Sequence, residues 1–165
     1  MVNGDFSAGN TGFFTEYGYA ADGAGNSELY PEGLYGVGTS GQNYHSSFYG
    51  KEHSTPAQTG NFMIVNGSTT TIGSPARQRV IWQQTATVQP NTSYYFSAQA
   101  MNLHPSSPAQ LQFEVNGVLV GTVADLSVAP KIPDVYGQYQ TSADKKAAVS
   151  EGELRLLGPP GTSEE

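Results

Sequence analysis

The chain has 165 residues, no cysteine and a formal net charge of −7, and only 13% of its residues are charged. Without cysteine it forms no disulfide, thiolate metal site or thiol nucleophile. It has no cluster of lysine and arginine to neutralise phosphates, which argues against nucleic acid and anionic membranes as partners. No stretch reaches the roughly 18 apolar residues of a membrane span. The 20 glycines and 10 prolines are typical of a loop-rich all-β protein.

The N-terminal third of the chain predicts short strands followed by a long loop. Residues 2–12 predict one short strand and a Gly/Asn turn, and residues 13–19 predict a second strand because aromatic and polar residues alternate. Residues 20–53 are rich in glycine and aromatic residues and predict a long loop with one short strand at 34–37. A loop of this length in a compact domain usually has a function or special packing.

The strongest local signal in the chain is a hairpin at Asn116-Gly117. Apolar and polar residues alternate from Leu111 to Val115, and an apolar run follows at 118–120. Both central turn residues need positive φ, which favours Asn-Gly, so the pattern predicts two antiparallel strands. Asn66-Gly67 follows another apolar run in the same way. Further strands are predicted at 60–65, 79–88, 93–101, 136–141 and 153–157.

Roughly eight short strands with long loops predict an all-β fold, an antiparallel β-sandwich or jelly roll. The length suits one domain with a two-layer core, and we assign it residues 1–157. Residues 158–165 predict a C-terminal loop or disordered tail. The N-terminus lacks a signal peptide pattern. We interpret Met1 as the start of an excised domain whose targeting signal lies outside this sequence.

Several short motifs occur in the order of a known family. They are Asn3–Phe6, Gly9–Gly12, Tyr30–Gly33, Tyr35–Gly38, Tyr44–Phe48, Gly60–Gly67, Trp82–Thr85, Pro90–Ala98 and Pro108–Phe113. Over about residues 2–121 the chain resembles galactose-binding-like jelly-roll modules of large secreted or surface-attached bacterial proteins, among them adhesin-like and gliding-motility-associated proteins. These modules are similar in fold to carbohydrate-binding modules. The resemblance implies a jelly roll, an extracellular or cell-surface location, and a glycan or other cell-surface ligand.

The resemblance also implies a structural Ca²⁺ site, and here the chain departs from the family twice. The family often has an acidic residue after the N-terminal phenylalanine, where this chain has Ser7, and an Asp-Asp pair in the last strand, which is missing. Asp5 remains the candidate metal ligand. A final strand beside the first is not evident either. The domain is truncated, ends unusually with residues 153–157 as its last strand, or is completed by a partner's strand.

A polar sheet face is the first candidate binding surface. It combines amides, hydroxyls, one aromatic ring and one carboxylate at alternate strand positions: Gln83, Thr85, Tyr95, Ser97, Gln99, Gln110, Gln112 and Glu114. If these strands are neighbours, the amides can pair with sugar hydroxyls while the aromatic ring covers the apolar face of a sugar. The alternative is an ordinary solvated face, since glutamine and threonine are common at exposed strand positions.

The aromatic residues of the long loop form the second candidate surface. They are Tyr30, Tyr35, Tyr44, His45, Phe48, Tyr49 and His53. Such rings can stack on sugars or contact a partner protein, and Tyr44 and Tyr49 are the residues we expect to be exposed. The alternative, favoured for most of them, is that the rings cap one end of the sandwich and shield its core.

The sequence carries no catalytic motif. A glycosidase needs two carboxylates facing each other, and Glu114 has no evident partner in the sequence. A nucleophile elbow and phosphate-binding loops are missing as well. The sequence therefore predicts a non-catalytic module for glycan binding or surface adhesion. Its alternative is a self-assembling subunit, an oligomer or filament, completed by strand exchange.

Overall fold

The structure is a computed structural model of the chain. It describes residues 1–23, 25–52, 56–70, 72, 77–104, 106, 109–125, 134–140 and 151–157. At positions 95, 97, 121–125, 134–140 and 151–157 it describes the backbone without the side chain. The predicted tail at 158–165 and the loop residue His53 lie outside the described residues.

The described part of the chain is all-β. Its strands are β1 (Gly18–Tyr19), β2 (Leu34–Gly38), β3 (Phe62–Asn66), β4 (Val80–Thr87), β5 (Ser93–Gln99), β6 (Gln110–Val115), β7 (Val118–Asp125), β8 (Asp134–Gln140) and β9 (Glu151–Leu157). A short 3-10 helix, Gly41–Asn43, lies between β2 and β3. No helix within these described ranges is long and apolar enough to cross a membrane. The prediction of an all-β protein built from short strands and long loops is confirmed.

The strands form three sheets. Their orders are β1-β2-β3, β4-β9-β6-β7 and β5-β8. Every pair of named strands is antiparallel except the two-residue pairing of β1 with β2. The predicted hairpin is confirmed, since Asn116 and Gly117 join β6 to β7 with φ values of 51° and 77°.

The C-terminal strand β9 lies inside the four-stranded sheet rather than at its edge. It pairs antiparallel with β4 on one side and with β6 on the other, so that Leu156 lies opposite both Trp82 and Phe113. This confirms the prediction that residues 153–157 form the last strand. β9 does not pair beside the first strand, and completion of a sheet by a partner's strand stays a prediction.

The main core lies between the three-stranded and four-stranded sheets. Tyr17 and Tyr35 from one layer pack against Ile81, Trp82 and Leu111 from the other. In β5, the ring of Phe96 lies 4.7 Å from the ring of Phe113 in β6. The two-stranded sheet therefore packs on the same inner face of the four-stranded sheet, and the molecule is a β-sandwich.

A second core covers the opposite face of the three-stranded sheet. Leu29, Tyr44 and Phe48 of the long loop pack with Ile64 of β3 and with Leu103. Side chains alternate between the faces of a strand, so β2 and β3 contribute to the main core and the second core in turn. Of the loop aromatics, Tyr44 and Phe48 are buried in this second core and Tyr35 in the main core, whereas Tyr30 and Tyr49 are exposed.

Two strand predictions near the N-terminus are wrong. Residues 2–12 form turns, because Asn3 and Phe6 adopt φ values of 50° and 55° that an extended strand does not allow. The predicted strand at 13–19 is reduced to β1 and an isolated bridge at Phe14. Neither Asn66 nor Gly67 has the positive φ of the predicted hairpin turn, and the Asn66 side chain donates to the carbonyl oxygen of Leu29 at 2.9 Å.

The predicted alternation in β4 is interrupted at its start. An irregularity in the ladder lies between Val80 and Trp82, where β4 pairs with β9. Ile81 and Trp82 are consequently both buried in the main core, although strict alternation placed them on opposite faces. From Trp82 to Thr87 the pairing of β4 with β9 keeps a regular register.

Candidate functional site

A row of directly opposite residues crosses the outer face of the four-stranded sheet. In β6, Glu114 lies opposite Leu119 of β7 and opposite Arg155 of β9. Arg155 lies opposite Gln83 of β4, and Gln83 lies opposite Phe14. Residues directly opposite each other in a ladder belong to the same face of a sheet. We call these five positions the outer row.

The sequence neighbours of the outer row show that it faces away from the core. Phe13 packs against the main core, and its ring lies 6.0 Å from that of Tyr35. Trp82 and Phe113, which precede Gln83 and Glu114, are buried. Because side chains alternate along a strand, the outer row lies on the solvent side, and Phe14 is 54% exposed.

The backbone around Phe14 is fixed to the edge of β4. Phe14 and Gln83 exchange two backbone hydrogen bonds of 2.9 Å, and the Glu16 N–H donates to the Val80 carbonyl oxygen at 2.9 Å. The Glu16 carboxylate accepts from the Val80 N–H at 2.8 Å and from the Arg77 guanidinium at 2.9 Å. The hydrogen bond to Glu16 raises the pKa of Arg77 above its ordinary value. Phe14 is therefore held beside Gln83 on an ordered segment.

A shallow cleft of about 410 Å³ opens beside Phe14. Its lining residues are Val2, Gly12, Phe13, Phe14, Gln83, Gln84 and Thr85. The Gln84 side chain fixes Val2 and Gly12 beside β4. Its amide nitrogen donates to their carbonyl oxygens, and its amide oxygen accepts from the Val2 N–H at 3.1 Å. The cleft thus presents an aromatic ring, an amide and a threonine on one surface.

The structure brings part of the predicted polar face together and separates the rest. Gln83 and Glu114 lie in the outer row, and Gln112 lies two residues from Glu114 on the same face. Tyr95 and Gln99 lie on β5, which pairs with β8 in a different sheet. The condition that all these strands are neighbours is not met, because β5 pairs with β8 and because β9 lies between β4 and β6. The Tyr95 side chain lies outside the described part, and Gln99 is exposed.

Tyr44 is not the exposed residue that the sequence predicts. Its side chain is 1% exposed in the second core, and its hydroxyl donates to the carbonyl oxygen of Val37 at 2.8 Å. Burial raises its pKa to about 12, and the nearby Asp22 carboxylate adds to this. The ring fits against β2 because Gly36 and Gly38 have no side chains there. Tyr49 is exposed, as predicted.

Other loop aromatics stack on the surface of the second core. The His45 ring lies 4.3 Å from the Tyr30 ring and 4.4 Å from the Phe48 ring. Burial lowers the pKa of His45, and the electrostatic effect of the nearby His104 lowers it further. The Tyr30 hydroxyl lies 2.7 Å from the Ser46 hydroxyl, and Tyr30 is 53% exposed. This surface lies beyond the three-stranded sheet, on the side of the sandwich away from the outer row.

Asp5 lies in an exposed turn. Its carboxylate accepts hydrogen bonds from the Ser7 N–H at 3.2 Å and the Ser7 hydroxyl at 2.9 Å, and these bonds lower its pKa. The Asn3 amide donates to the carbonyl oxygens of Gly9 at 2.9 Å and Thr11 at 2.7 Å. Among the described residues, no three histidine or acidic side chains lie close enough to hold a metal ion. The Ca²⁺ site at Asp5 stays a prediction.

Sequence reasoning missed Phe14 and Leu119. Leu119 follows from the hairpin itself, because a two-residue turn that pairs Val115 with Val118 also pairs Glu114 with Leu119. Phe14 gives no such signal. It adjoins another phenylalanine, and its bridge to Gln83 joins segments far apart in the sequence.

Comparison with known proteins adds little. No protein-family model and no curated protein matches this sequence. A solved structure described as "EclA C-terminal domain; sugar-binding protein" resembles part of the chain, with a TM-score of 0.43 and 15% sequence identity. The match covers 52% of this chain and 59% of that one. At this TM-score the likeness establishes neither a common fold nor a common ligand.

Proposed function

We propose that this protein is a non-catalytic glycan-binding module and that its ligand lies on the outer face of the four-stranded sheet. The observation that carries the proposal is the position of Phe14. An aromatic ring that is 54% exposed lies directly opposite Gln83, and Glu114 lies farther along the same row. An exposed aromatic ring beside an amide, with a carboxylate farther along the same row, gives this surface both an apolar part and a hydrogen-bonding part.

This combination of groups suits the chemistry of sugars. A sugar ring has an apolar face of C–H groups, which an aromatic ring can cover, and a rim of hydroxyls. The amides of Gln83 and Gln112 donate and accept hydrogen bonds, and the carboxylate of Glu114 accepts them. The surface is open and the cleft beside it is shallow. We therefore expect weak affinity, with dissociation constants on the order of micromolar to millimolar.

The absence of catalysis and the location of the protein are part of the same proposal. The sequence has no nucleophile elbow, phosphate-binding loop or recognised metal-ligand spacing. Its low fraction of charged residues, 13%, and the resemblance to modules of bacterial surface proteins support a role outside the cell, in adhesion to a glycan-bearing surface. Several such modules in one protein would raise the overall affinity through multivalency.

A comparison of two exposed aromatic residues tests the proposal. The purified chain is screened against simple sugars and polysaccharides, and binding of the best ligand is then measured by calorimetry for Phe14→Ala and Tyr30→Ala. The two residues are matched, with exposed fractions of 54% and 53%, and lie on opposite sides of the sandwich. Losing an aromatic contact of about 1.4 kcal/mol corresponds to a tenfold loss of affinity.

We expect Phe14→Ala to weaken binding about tenfold and Tyr30→Ala to leave it unchanged. Tyr49→Ala, in the long loop, should also bind as the unmodified chain does. Melting temperatures of the variants establish that each is folded. The proposal is overturned if no glycan binds saturably. It is also overturned if Phe14→Ala keeps full affinity while Tyr30→Ala or Tyr49→Ala loses it, since the ligand would then lie on the loops.

A further inference from the structure

The outer row has apolar ends and a polar middle. Phe14 at one end is 54% exposed, and Leu119 at the other end is 53% exposed. Between them lie Gln83, Arg155 and Glu114. Exposed large apolar side chains at both ends of one row on a sheet face offer contacts to a ligand that reaches from one to the other.

The length of the row limits what can reach both ends. The row crosses four ladders, from Phe14 to β4, β9, β6 and β7. Neighbouring strands lie about 4.8 Å apart, so the row is about 19 Å long. A monosaccharide or disaccharide covers only part of this distance. A ligand that contacts both Phe14 and Leu119 must be a longer chain that runs across the strands rather than along them.

The charges of the row favour an uncharged ligand. The row has one acidic position, Glu114, and the position opposite it in the ladder is the basic residue Arg155. The chain as a whole carries a formal net charge of −7, which repels polyanions at long range. A polycation would require several carboxylates along the row, which has one.

We infer that the outer row binds an uncharged, extended oligosaccharide that lies across the strands, with one end on Phe14 and the other on Leu119. The inference rests on the proposed function and specifies the class of glycan and its direction on the sheet. The apolar faces of the terminal sugar units pack on the two apolar side chains, and hydroxyls of the central units bond to the polar positions.

The test measures affinity against ligand length. A series of neutral oligosaccharides of increasing length, of the type that binds in the first screen, is titrated into the full chain by calorimetry. We expect the affinity to rise until the ligand spans the row and then to level off. Because the ligand is uncharged, added salt should leave the affinity unchanged.

Leu119 and its neighbour Val118 give a matched pair of variants. Val118 is 60% exposed but pairs with Val115, which is buried in the core, so it belongs to the other face of β7. Leu119→Ala should weaken the longest oligosaccharide several-fold and leave the shortest one unchanged. Val118→Ala should affect neither. Both side chains are exposed, so both variants should keep the melting temperature of the unmodified chain.

The outcomes separate this inference from the proposed function. If no neutral or charged glycan binds, the proposed function fails. If short and long oligosaccharides bind equally well, or if Leu119→Ala binds the long ligand as tightly as Val118→Ala does, the glycan site stands and the ligand does not cross the row. Preference for an acidic oligosaccharide, with affinity that falls as salt is added, would overturn the assignment of an uncharged ligand.

Discussion

Gly36 leaves the space in β2 that the buried Tyr44 ring occupies. A Cβ atom added at Gly36 would lie 2.3 Å from Cε1 of Tyr44, 2.6 Å from Cδ1 and 2.8 Å from Cζ. Carbon atoms in contact are normally about 3.5–4.0 Å apart, so Gly36→Ala forces the ring to move by more than about 1 Å. The ring cannot turn away freely, because its hydroxyl is bonded to Val37 and Gly38 lies against its other edge.

The expected loss of stability has two parts. Overpacking of a well-filled core costs about 1–3 kcal/mol. Displacing the ring also weakens the hydrogen bond from the Tyr44 hydroxyl to Val37, which contributes about 1 kcal/mol. We therefore expect Gly36→Ala to lower the free energy of unfolding by about 2–4 kcal/mol. In a chain of this size each kcal/mol lowers the melting temperature by roughly 2–4 °C.

Urea unfolding of Gly36→Ala measures this effect, and Gly67→Ala is its control. A Cβ atom at Gly67 meets nothing within 4 Å, so that variant should differ from the unmodified chain by less than about 0.5 kcal/mol. The double variant Gly36→Ala, Tyr44→Leu removes the obstructing ring, and the alanine should then cost much less than it does beside Tyr44. Equal stability of Gly36→Ala and Gly67→Ala would refute the packing of Tyr44 against β2.

Three further predictions concern the buried hydroxyl of Tyr44, the ion pair of Glu16 with Arg77, and the predicted Ca²⁺ site. Burial raises the pKa of Tyr44 from 10.0 to about 12, so the stability that its neutral hydroxyl contributes is present below pH 10 and lost as the pH rises towards 12. Unfolding at alkaline pH should show this loss of stability, and Tyr44→Phe should make the loss smaller. Arg77→Ala should cost at most about 1 kcal/mol in urea unfolding, because that side chain is 48% exposed. Glu16→Ala should lower the free energy of unfolding more than Arg77→Ala does, because the Val80 N–H also loses its acceptor. Equal losses of stability in the two variants would contradict this. The predicted Ca²⁺ site at Asp5 requires a higher melting temperature in Ca²⁺ than in EDTA, and Asp5→Ala should abolish the difference. Equal melting temperatures in Ca²⁺ and EDTA would contradict the metal site.

Local pairing could be predicted from this sequence, whereas long-range pairing could not. The hairpin at Asn116-Gly117 followed from the turn residues, and its register also fixes Leu119 opposite Glu114. β9 was identified as a strand, but no local pattern shows that it pairs with both β4 and β6. The predicted polar face is divided between two sheets, because β5 pairs with β8 instead of with β4 or β6.

The candidate site was predicted in its polar part and missed in its apolar part. Gln83, Gln112 and Glu114 were placed on one face because alternation along a strand fixes the face of each residue. Phe14 could not be assigned, since its face depends on a bridge to β4 and not on its own neighbours. The burial of Tyr44 cannot be inferred from its own neighbours either, because the glycines that contact its ring lie in another element, β2.

The most direct test of glycan binding on the outer face is a map of amide chemical shifts during titration with the oligosaccharide that binds best. The account predicts that the largest changes in chemical shift occur at Phe14, Gln83, Glu114 and Leu119, while the amide chemical shifts of His45 and Tyr49 do not change. Changes concentrated at His45 and Tyr49, with the outer row unaffected, would contradict it and place the ligand on the long loop.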